Sequence, residues 1–351
     1  MQKYNRFLAS VSLIFLCWAC IPSGAGQTTL TPSPTPGEWW QVYFTVPQDA
    51  RDGRYAGGPD EMLAEAIDQA RLSVDMAMYN FNLWSIRDAL VAAQQRGVNV
   101  RVVIDSDNFN EPEVQDLIDA GIPVLGDQRE SLMHHKFAIL DRREVWTGSM
   151  NFSVGGAYKD ANSLLRLQNP KVAEDFQVEF DEMFEDGLFG YASPTNTPYP
   201  ALSVAGDQVE VYFSPDDGVL DRLVDLVGEA DQEVRFLAYS FTADRLAEAM
   251  LQQAQAGVEI SGVFDRSQAR GNTGGEFARL KAAGLDVRLA NTPNLMHHKV
   301  LIIDRQIVAV GSYNFTRSAE EFNDENMVII ANANLAEQYM QIYAALFADA
   351  E

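Results

Sequence analysis

Apolar and polar residues follow the same order twice along the chain beyond residue 37. Each series opens with a short apolar run, at 70–81 and at 233–241, that has the length and composition of a buried strand. An amphipathic stretch with apolar residues at helical spacing follows, and a glycine ends it, at Gly97 and Gly257. A second short apolar run comes next. This pattern predicts repeated strand–helix–strand units.

The two series keep a nearly constant register. Equivalent residues are 160 positions apart at first and 163 positions apart later, as shown by the pairs Tyr79/Tyr239, Gly97/Gly257, Asp105/Asp265, Gly121/Gly284 and His134/His297. Three extra residues therefore enter the second series between Asp265 and Gly284. Repetition over more than a hundred residues indicates two homologous halves. Strand–helix alternation predicts an α/β fold in layers, with mixed or largely parallel sheets.

Composition shifts divide the chain into segments. We predict an export signal at 1–19, a Thr/Pro/Ser-rich tether at 20–37, a first half at 38–192, a linker at 193–207 and a second half at 208–351.

The N-terminus is typical of an exported protein. Two cations precede the apolar run at 7–18, which is too short to span a membrane. Cys20 follows Ala19 and precedes the tether, an arrangement that resembles a bacterial lipoprotein anchor. Cleavage after Ala25 is the alternative. Both cysteines of the chain, Cys17 and Cys20, lie in this leader. The sequence therefore predicts export from the cytoplasm, either as a membrane-anchored lipoprotein or as a secreted protein.

The chain is strongly acidic, with a formal net charge of −24. A surface of this sign repels nucleic acid at long range. The charge therefore weakens the case for a nucleic-acid substrate, although a locally basic cleft remains compatible with it.

One motif is repeated more closely than any other part of the chain. The segments 133–153 and 296–316 each contain His-x-Lys, an Asp five residues after the Lys, and Gly-Ser-x-Asn seven residues beyond the Asp. The residues are His134, Lys136, Asp141, Gly148, Ser149 and Asn151, and then His297, Lys299, Asp304, Gly311, Ser312 and Asn314. All four histidines of the chain lie in these two segments.

The spacing of the motif suits phosphate chemistry. Residues two apart on a strand share a face, so His134 and Lys136 point the same way, as do His297 and Lys299. An imidazole beside an ammonium group can attack phosphorus or deliver a proton while the cation binds the anion. Each Gly-Ser-x-Asn segment adds a serine, such as Ser149, and an asparagine two residues later. Their side chains provide hydrogen-bond donors for phosphate oxygens.

The motif has three other interpretations. The histidines can be hydrogen-bonded core residues, but two matching frames make that a poor account. A zinc site is disfavoured, because adjacent strand residues face opposite ways and no cysteine follows the leader. Asp141 and Asp304 each follow an apolar strand and precede an arginine, so a turn-forming role stays open beside a catalytic one.

The doubled frame HxKx4Dx6GSxN resembles the phospholipase D superfamily over nearly the whole chain beyond the tether. The second half is similar to the branch of small bacterial endonucleases and mitochondrial cardiolipin hydrolases, through YSFTA at 239–243, RGNTG at 270–274 and the run at 311–326. The resemblance implies two lobes related by pseudo-two-fold symmetry, with a single site between them.

The resemblance also implies a mechanism that needs no metal and no other cofactor. One histidine forms a phosphohistidine and the other protonates the leaving alcohol. By family precedent the nucleophile is His134 and the general acid is His297. The two motif lysines and the asparagines Asn151 and Asn314 stabilise the phosphoryl charge, and the two aspartates belong to the catalytic motif.

A supporting acid is expected for the second histidine. The resemblance places Glu325 against His297. Aligning KDAN of the first half with NDEN of the second sets Ala161 opposite Glu325, with Asp160 as a substitute if the chain shifts by one residue.

Three functions from different classes follow. The first is hydrolysis of phospholipid head groups, with exposed aromatics as lipid contacts, the candidates being Trp39, Trp40 and Trp84. The second is a secreted nuclease, which predicts a cleft lined by the cations Arg142, Arg143, Arg266 and Arg270. The third is a non-catalytic phosphate-binding protein, which the two intact motifs disfavour. One chain holds both motifs, so no obligate protein partner is expected.

Overall fold

Short apolar runs form two β-sheets in the computed structural model, which describes residues 39–48 and 53–351. The predicted export signal, Cys20 and the tether lie outside the described residues. No helix in the described part of the chain is both long enough and apolar enough to cross a membrane.

The first sheet contains seven strands. They are β1 (Trp40–Phe44), β2 (Ser73–Met78), β3 (Asn99–Ile104), β4 (Val124–Gly126), β5 (Lys136–Leu140), β6 (Glu144–Gly148) and β7 (Ser163–Leu167). The order across the sheet is β1-β7-β6-β5-β2-β3-β4. Strands β2, β3 and β4 are parallel, whereas β5, β6, β7 and β1 pair antiparallel, so the sheet is mixed. Its helices are α1 (Pro59–Gln69), α2 (Trp84–Gln95), α3 (Pro112–Asp119), α4 (Val154–Tyr158) and α5 (Pro170–Asp181).

The second sheet contains eight strands. They are β8 (Ala201–Val204), β9 (Asp207–Ser214), β10 (Glu233–Ala238), β11 (Glu259–Phe264), β12 (Asp286–Leu289), β13 (Lys299–Ile303), β14 (Ile307–Gly311) and β15 (Glu325–Ala331). The order is β12-β11-β10-β13-β14-β15-β9-β8. The helices are α6 (Val219–Gly228), α7 (Asp244–Ala256), α8 (Arg266–Gly271), α9 (Phe277–Ala282), α10 (Arg317–Glu321) and α11 (Ala333–Asp349).

The two sheets have the same topology. Read from β4 and from β12, both run through three parallel strands and then four antiparallel ones, and β8 is an added edge strand. The predicted α/β class and the two-half arrangement are confirmed. The glycines expected to end α2 and α7 adopt the left-handed backbone this requires, with φ of 87° at Gly97 and 101° at Gly257.

One predicted boundary needs correction. The segment 193–207 was expected to be a linker, but it contains β8, which pairs antiparallel with β9. A strand of only four residues is too short for its alternation of exposed and half-buried residues to be recognised in the sequence.

The core has three parts. One apolar cluster lies under α1, α2 and α3 of the first half, and a second lies under α6 and α7 of the second half. The third is shared, because side chains of both sheets pack together with α5 and α11. In it the ring of Phe176 lies 5.1 Å from the rings of both Phe137 and Phe213, which belong to different halves. The halves are therefore joined by a continuous apolar interior.

Candidate active site

Both histidines of the repeated motif line one open cleft of about 490 Å³. His134 lies two residues before the strand residue Lys136 that opens β5, and His297 has the same relation to Lys299 and β13. The structure therefore brings together the two motifs that the sequence separates by 163 residues.

The backbone around each histidine is held by the opposite half. The amide of His134 donates to the carbonyl of Asp324 at 2.9 Å, and the amide of His297 donates to the carbonyl of Ala161 at 2.9 Å. Reciprocal contacts of this kind are those that a two-fold axis produces. Within each half, the carboxylates of Asp105 and Asp265 accept from the amide of the methionine that precedes the histidine, at 3.0 and 2.9 Å.

The ring of His134 rests on a buried carboxylate. Its Nδ1 lies 2.8 Å from Oε2 of Glu325. A carboxylate accepts the Nδ1 proton, which leaves the Nε2 lone pair available to the cleft. Burial lowers the pKa of His134 well below its usual range, and the positive charges of Lys136 and Lys299 lower it further. Burial raises the pKa of Glu325 to about 7, against the lowering effect of Lys136.

The ring of His297 rests on neutral oxygens instead. Its Nδ1 lies 2.9 Å from Oδ1 of Asn162 and 3.1 Å from the carbonyl oxygen of Ser149. A carbonyl oxygen only accepts, so Nδ1 carries the proton and Nε2 is again left for the cleft. Burial lowers the pKa of His297 as well, and Lys299 and Lys136 lower it further.

Two sequence predictions about these supports were wrong. Glu325 contacts His134 of the opposite half and not His297. Asp160 does not support a ring, because its carboxylate accepts from the backbone amide of Leu295 at 3.3 Å. The residue that was missed is Asn162. The offset of 163 residues between equivalent positions continues beyond the motif, so it aligns Asn162 with Glu325. This alignment was the signal in the sequence that could have identified Asn162.

The motif lysines lie beneath the floor of the cleft. Both are fully buried, and each Nζ donates to the carbonyl of the histidine two residues earlier, at 2.6 Å for Lys136 and 2.9 Å for Lys299. Burial lowers the pKa of Lys136 to about 7, although Glu325 and Asp105 counteract this. Burial and the charge of Lys136 lower the pKa of Lys299 well below its usual range. In their protonated form the two lysines supply positive potential to the cleft from inside the protein.

The second histidine of each motif faces away from the cleft, as the strand alternation predicts. His135 lies in the shared core, where Nε2 is 2.9 Å from Glu179 and Nδ1 is 3.1 Å from Nδ2 of Asn326. His298 is buried and its ring lies 6.3 Å from that of Phe44. Among the described residues, no group of three or more His, Cys, Asp or Glu side chains is arranged to hold a metal ion.

The serines of Gly-Ser-x-Asn do not face the cleft, which corrects their predicted role in phosphate binding. The hydroxyl of Ser149 accepts from the amide of Ser163 at 3.1 Å, and that of Ser312 accepts from the amide of Asn326 at 3.0 Å. Both serines are fully buried. They tie the turn after β6 or β14 to the neighbouring strand, because a small hydroxyl there satisfies a buried amide.

The asparagines of the same motif do line the cleft. The side-chain oxygens of Asn151 and Asn314 are buried and lack hydrogen-bond partners within the described residues. A buried polar atom without a partner is uncommon in a folded protein. The amide groups are therefore free to turn their donors toward an anion in the cleft.

The glycines of the motif permit the close approach of two strands. A Cβ at Gly148 would lie 2.3 Å from the carbonyl oxygen of Ser163, and one at Gly311 would lie 2.1 Å from that of Asn326. No larger residue fits at these positions without moving the backbone that carries the ring supports.

The motif aspartates lie at the wrong end of their strands for catalysis, which corrects their assignment. Each follows a five-residue strand, so it is roughly 17 Å from the histidine end at about 3.3 Å per residue. The carboxylate of Asp141 accepts from the three consecutive amides of residues 71–73, at 2.7 to 3.2 Å. That of Asp304 accepts from the amides of residues 231–233, at 2.7 to 2.8 Å. Both aspartates shape turns.

The walls of the cleft are polar and mostly uncharged. The lining residues from the first half are Tyr79, Leu132, His134 and Asn151, and those from the second half are Tyr239, Ser240, Thr242, Gln268, Asn272, Thr273, Leu295, His297, Asn314, Thr316, Ser318 and Asn323. Three of them, Gln268, Asn272 and Thr273, lie in or beside α8, where the sequence predicted the three-residue insertion. The second half therefore builds most of the wall.

None of the arginines predicted for a nuclease lines this cleft. Arg142 and Arg143 lie in the turn between β5 and β6, at the end of the sheet opposite His134. Arg266 is engaged by the carboxylate of Glu351 at 2.9 Å. These four arginines therefore do not form the basic cleft lining that the nuclease alternative predicts.

Comparison with known proteins agrees with the geometry. The family model described as "Cardiolipin synthase, PLD-like domain" matches residues 63–184 and 223–347, once in each half. The phospholipase D of Rickettsia prowazekii is 28% identical over 162 residues, which cover 46% of this chain and 78% of that protein. The human mitochondrial cardiolipin hydrolase is 35% identical over 125 residues, 35% of this chain and 50% of that protein.

A solved structure has the same fold over most of the chain. The phosphatidylserine synthase of Haemophilus influenzae Rd KW20 superposes with a TM-score of 0.67 and 14% identity, covering 88% of each chain. Two matched segments, a shared fold and one cleft with two His-x-Lys motifs agree with one another. The chain belongs to the cardiolipin synthase-type, phospholipase D-like domain family, within the phospholipase D superfamily.

Proposed function

We propose that the protein hydrolyses the head groups of phospholipids through a phosphohistidine intermediate. Membership of the superfamily makes the chain an enzyme that hydrolyses phosphodiesters. The choice of lipid and the covalent mechanism are the parts proposed here. The observation that carries the mechanism is the convergence of His134 and His297 on one cleft, each with Nδ1 engaged and Nε2 left for a substrate.

The reaction needs two different imidazoles. Nε2 of His134 attacks phosphorus while His297 gives a proton to the leaving alcohol oxygen, which breaks the P–O bond and forms a P–N bond. Neutral His297 then takes a proton from water, whose oxygen attacks phosphorus and breaks the P–N bond. The products are the free alcohol and a phosphomonoester, and both histidines return to their starting states.

The groups that accept the Nδ1 proton of each histidine determine which histidine attacks and which donates a proton. The carboxylate of Glu325 stabilises the positive charge that develops on His134 as it attacks. The neutral oxygens under His297 stabilise an imidazolium less, so His297 gives its proton up more readily. Both rings are neutral in the empty cleft because burial lowers their pKa values. A bound phosphodiester anion raises the pKa of His297 and lets it bind the proton that it later donates.

The uncharged wall of the cleft favours a substrate with a single phosphodiester over a long polyanionic substrate. A nuclease needs cations that follow the backbone of its substrate, and the lining of this cleft contains none. The proteins compared above include a phospholipase D and a cardiolipin hydrolase. Of the predicted lipid-contacting aromatics, Trp40 is buried in the core and Trp39 donates to Asp207 at 2.8 Å, whereas Trp84 is 59% exposed. Trp84 alone keeps that role in the proposal.

Delivery to a membrane belongs to the same proposal. The predicted export signal carries the enzyme out of the cytoplasm, and a lipid on Cys20 holds it at a bilayer surface. This supports action on phospholipid without any membrane-spanning helix in the described region.

The test compares two substrates under one condition. Purified protein is incubated with phosphatidylcholine or phosphatidylethanolamine vesicles and, separately, with supercoiled plasmid, and His134→Asn serves as the matched control. We expect choline or ethanolamine release by the wild type and none by the variant. Plasmid nicking without head-group release overturns the lipid proposal in favour of a nuclease. Absence of both activities overturns the enzymatic role.

A further inference from the structure

Two tyrosines occupy equivalent places against the two His–Lys pairs. The ring centroid of Tyr79 lies 4.9 Å from that of His134, and the ring of Tyr239 lies 4.4 Å from that of His297, both in edge-to-face geometry. Each tyrosine also lines the cleft. In the sequence the two tyrosines occupy equivalent positions of the repeat, 160 residues apart.

The same rings face the buried lysines. Nζ of Lys136 lies 5.1 Å from the ring centroid of Tyr79, and Nζ of Lys299 lies 4.5 Å from that of Tyr239. These distances fall within the roughly 6 Å over which a cation is attracted to the face of an aromatic ring. The contact is present in both halves.

The backbone fixes each ring to the strand that carries its partners. The amide of Tyr79 donates to the carbonyl of His135 at 3.0 Å, and that of Tyr239 donates to the carbonyl of His298 at 2.8 Å. Each tyrosine directly follows β2 or β10, at the end that pairs with Lys136 or Lys299. The ring, the imidazole and the ammonium group therefore keep their relative positions.

Burial removes the water that would solvate each ammonium group, and its single hydrogen bond does not replace that water. Lys136 and Lys299 are fully buried, and their Nζ atoms bond to a neutral carbonyl. Glu325 and Asp105 raise the pKa of Lys136, and Glu325, Asp265 and Asp160 raise that of Lys299, which the charge of Lys136 lowers. No ion pair joins either lysine to a carboxylate among the described residues. A buried cation without such a pair loses its proton readily.

We propose that Tyr79 and Tyr239 are positioning residues whose ring faces keep the ammonium groups of Lys136 and Lys299 charged beneath the cleft. The tyrosines act through the lysines, and the importance of the charge for catalysis rests on the proposed phosphodiesterase function. The electron-rich ring face replaces the water that burial removes. A hydroxyl group is not required for this effect.

Two substitutions separate the ring from the hydroxyl group. Tyr239→Phe keeps the aromatic face, whereas Tyr239→Leu removes it, and Tyr79→Phe with Tyr79→Leu repeats the comparison in the first half. The chain contains six lysines, so ¹³C-lysine labelling gives a spectrum that lysine-to-arginine variants can assign. The titration midpoint of each Lys Cε resonance then reports the charge directly, without any need for activity.

We expect the midpoint of Lys299 to fall by about one pH unit or more in Tyr239→Leu, and to stay within about 0.3 unit of the wild type in Tyr239→Phe. Tyr79→Leu should do the same to Lys136. Equal midpoints in the wild type and the Leu variants overturn the proposal. So does a wild-type lysine that stays uncharged over the whole pH range in which the protein is folded.

Circular dichroism establishes whether the Leu variants fold. If one does not, a ring-fluorinated phenylalanine at position 239 keeps the shape and weakens the negative face of the ring. It should lower the midpoint of Lys299, and an unchanged midpoint counts against the proposal as before.

Kinetics give a second readout. The leaving group of bis(p-nitrophenyl) phosphate needs no proton from His297, so the alkaline limb of kcat/KM on this substrate reports the charge of the lysines. This limb should move to lower pH in the Leu variants and keep its position in the Phe variants. A wild type that cleaves neither this substrate nor phospholipid vesicles overturns the proposed function but leaves the lysine titrations to decide the role of the tyrosines. An unchanged alkaline limb in an active Leu variant overturns the role of the tyrosines alone.

Discussion

The two halves carry the same motif but support its histidine with different chemistry. His134 rests on the carboxylate of Glu325, and His297 rests on the amide oxygen of Asn162 and the carbonyl of Ser149. Each support comes from the half opposite to its histidine. A duplicated fold has thus acquired two unlike imidazoles in one cleft, and the difference lies in one side chain beside each ring.

The halves also differ in how much of the cleft they build. The second half supplies most of the wall, largely because α8 replaces the shorter turn Ser106–Asn108 of the first half. Each half therefore supplies one histidine to the cleft, whereas the second half supplies most of the wall.

The largest expected effect comes from removing either histidine. His134→Asn and His297→Asn should each lower kcat on a phospholipid by on the order of 10⁴-fold or more. With an activated p-nitrophenyl ester, whose leaving group needs no proton, His297→Asn should still form the phosphohistidine on His134 and release it slowly. Mass spectrometry of the quenched protein checks this. A phosphoryl group trapped in His134→Asn reverses the assigned roles.

The next effect tests the unlike supports. Glu325→Gln should lower kcat by about 10² to 10⁴-fold, because the developing imidazolium loses its carboxylate. Asn162→Asp should change kcat less than about tenfold and move the alkaline limb of the pH profile upward, because a nearby negative charge raises the pKa of His297. Equal losses in the two variants indicate that the supports do not divide the roles.

The reciprocal exchange sharpens this comparison. Glu325→Asn combined with Asn162→Glu moves the carboxylate from one histidine to the other. If the support sets the role, the trapped phosphohistidine should move from His134 to His297, as peptide mapping can show. If the phosphoryl group is still trapped on His134, the cleft wall and not the group at Nδ1 decides which histidine attacks phosphorus.

A smaller effect separates structural motif residues from chemical ones. Asp141→Asn and Asp304→Asn should each lower the free energy of unfolding by about 1–3 kcal/mol, because a charged acceptor of three backbone amides is lost. Activity at low temperature should fall less than about threefold. Urea denaturation with parallel assays checks both values. A loss of kcat without a loss of stability returns these aspartates to the catalytic group.

The pH dependence of Asp304 has a definite sign. Burial alone raises the pKa of Asp304, but the amides of residues 231, 233 and 232 outweigh burial and lower it below its usual value. A lowered carboxyl pKa contributes stability that is present above about pH 4 and is lost as the pH falls through the folded value. The stability difference between wild type and Asp304→Asn should therefore shrink in acid.

The smallest expected effect concerns salt. Head-group release from zwitterionic vesicles should change less than about threefold between roughly 50 and 200 mM NaCl, because the cleft wall has no cations to exchange counterions. A polyanion held by many phosphate contacts loses about 10³ to 10⁵ in affinity over that range. A steep fall of activity with salt favours the nuclease.

Much of this fold follows from periodicity alone. The paired strand, helix and glycine signals place β2, α2, β3 and β5 and their equivalents close to where they lie, because burial imposes the same pattern twice. The structure also brings His134 and His297, the first histidines of the two motifs, to one cleft. Strand β8 was missed because alternation over only four residues is too short to indicate a strand.

The errors share one cause. Ser149 and Asp141 belong to the motif by spacing, yet one satisfies a buried amide and the other a turn. Glu325 was paired with the histidine of its own half, whereas the fold places it against the histidine of the other half. Spacing along a chain gives the face of a strand but not the partner that faces it.

The sequence by itself determined that each of two equivalent halves carries an imidazole and an ammonium group two residues apart, positions that an extended backbone turns to the same side. Only the tertiary structure decided which atoms meet across the boundary between the halves. Glu325 reaches His134, and Asn162 reaches His297, because the two sheets pack around a shared core that brings the ends of β15 and β7 to the opposite motif. Contacts of this kind depend on packing in three dimensions, and no local pattern in the chain encodes them.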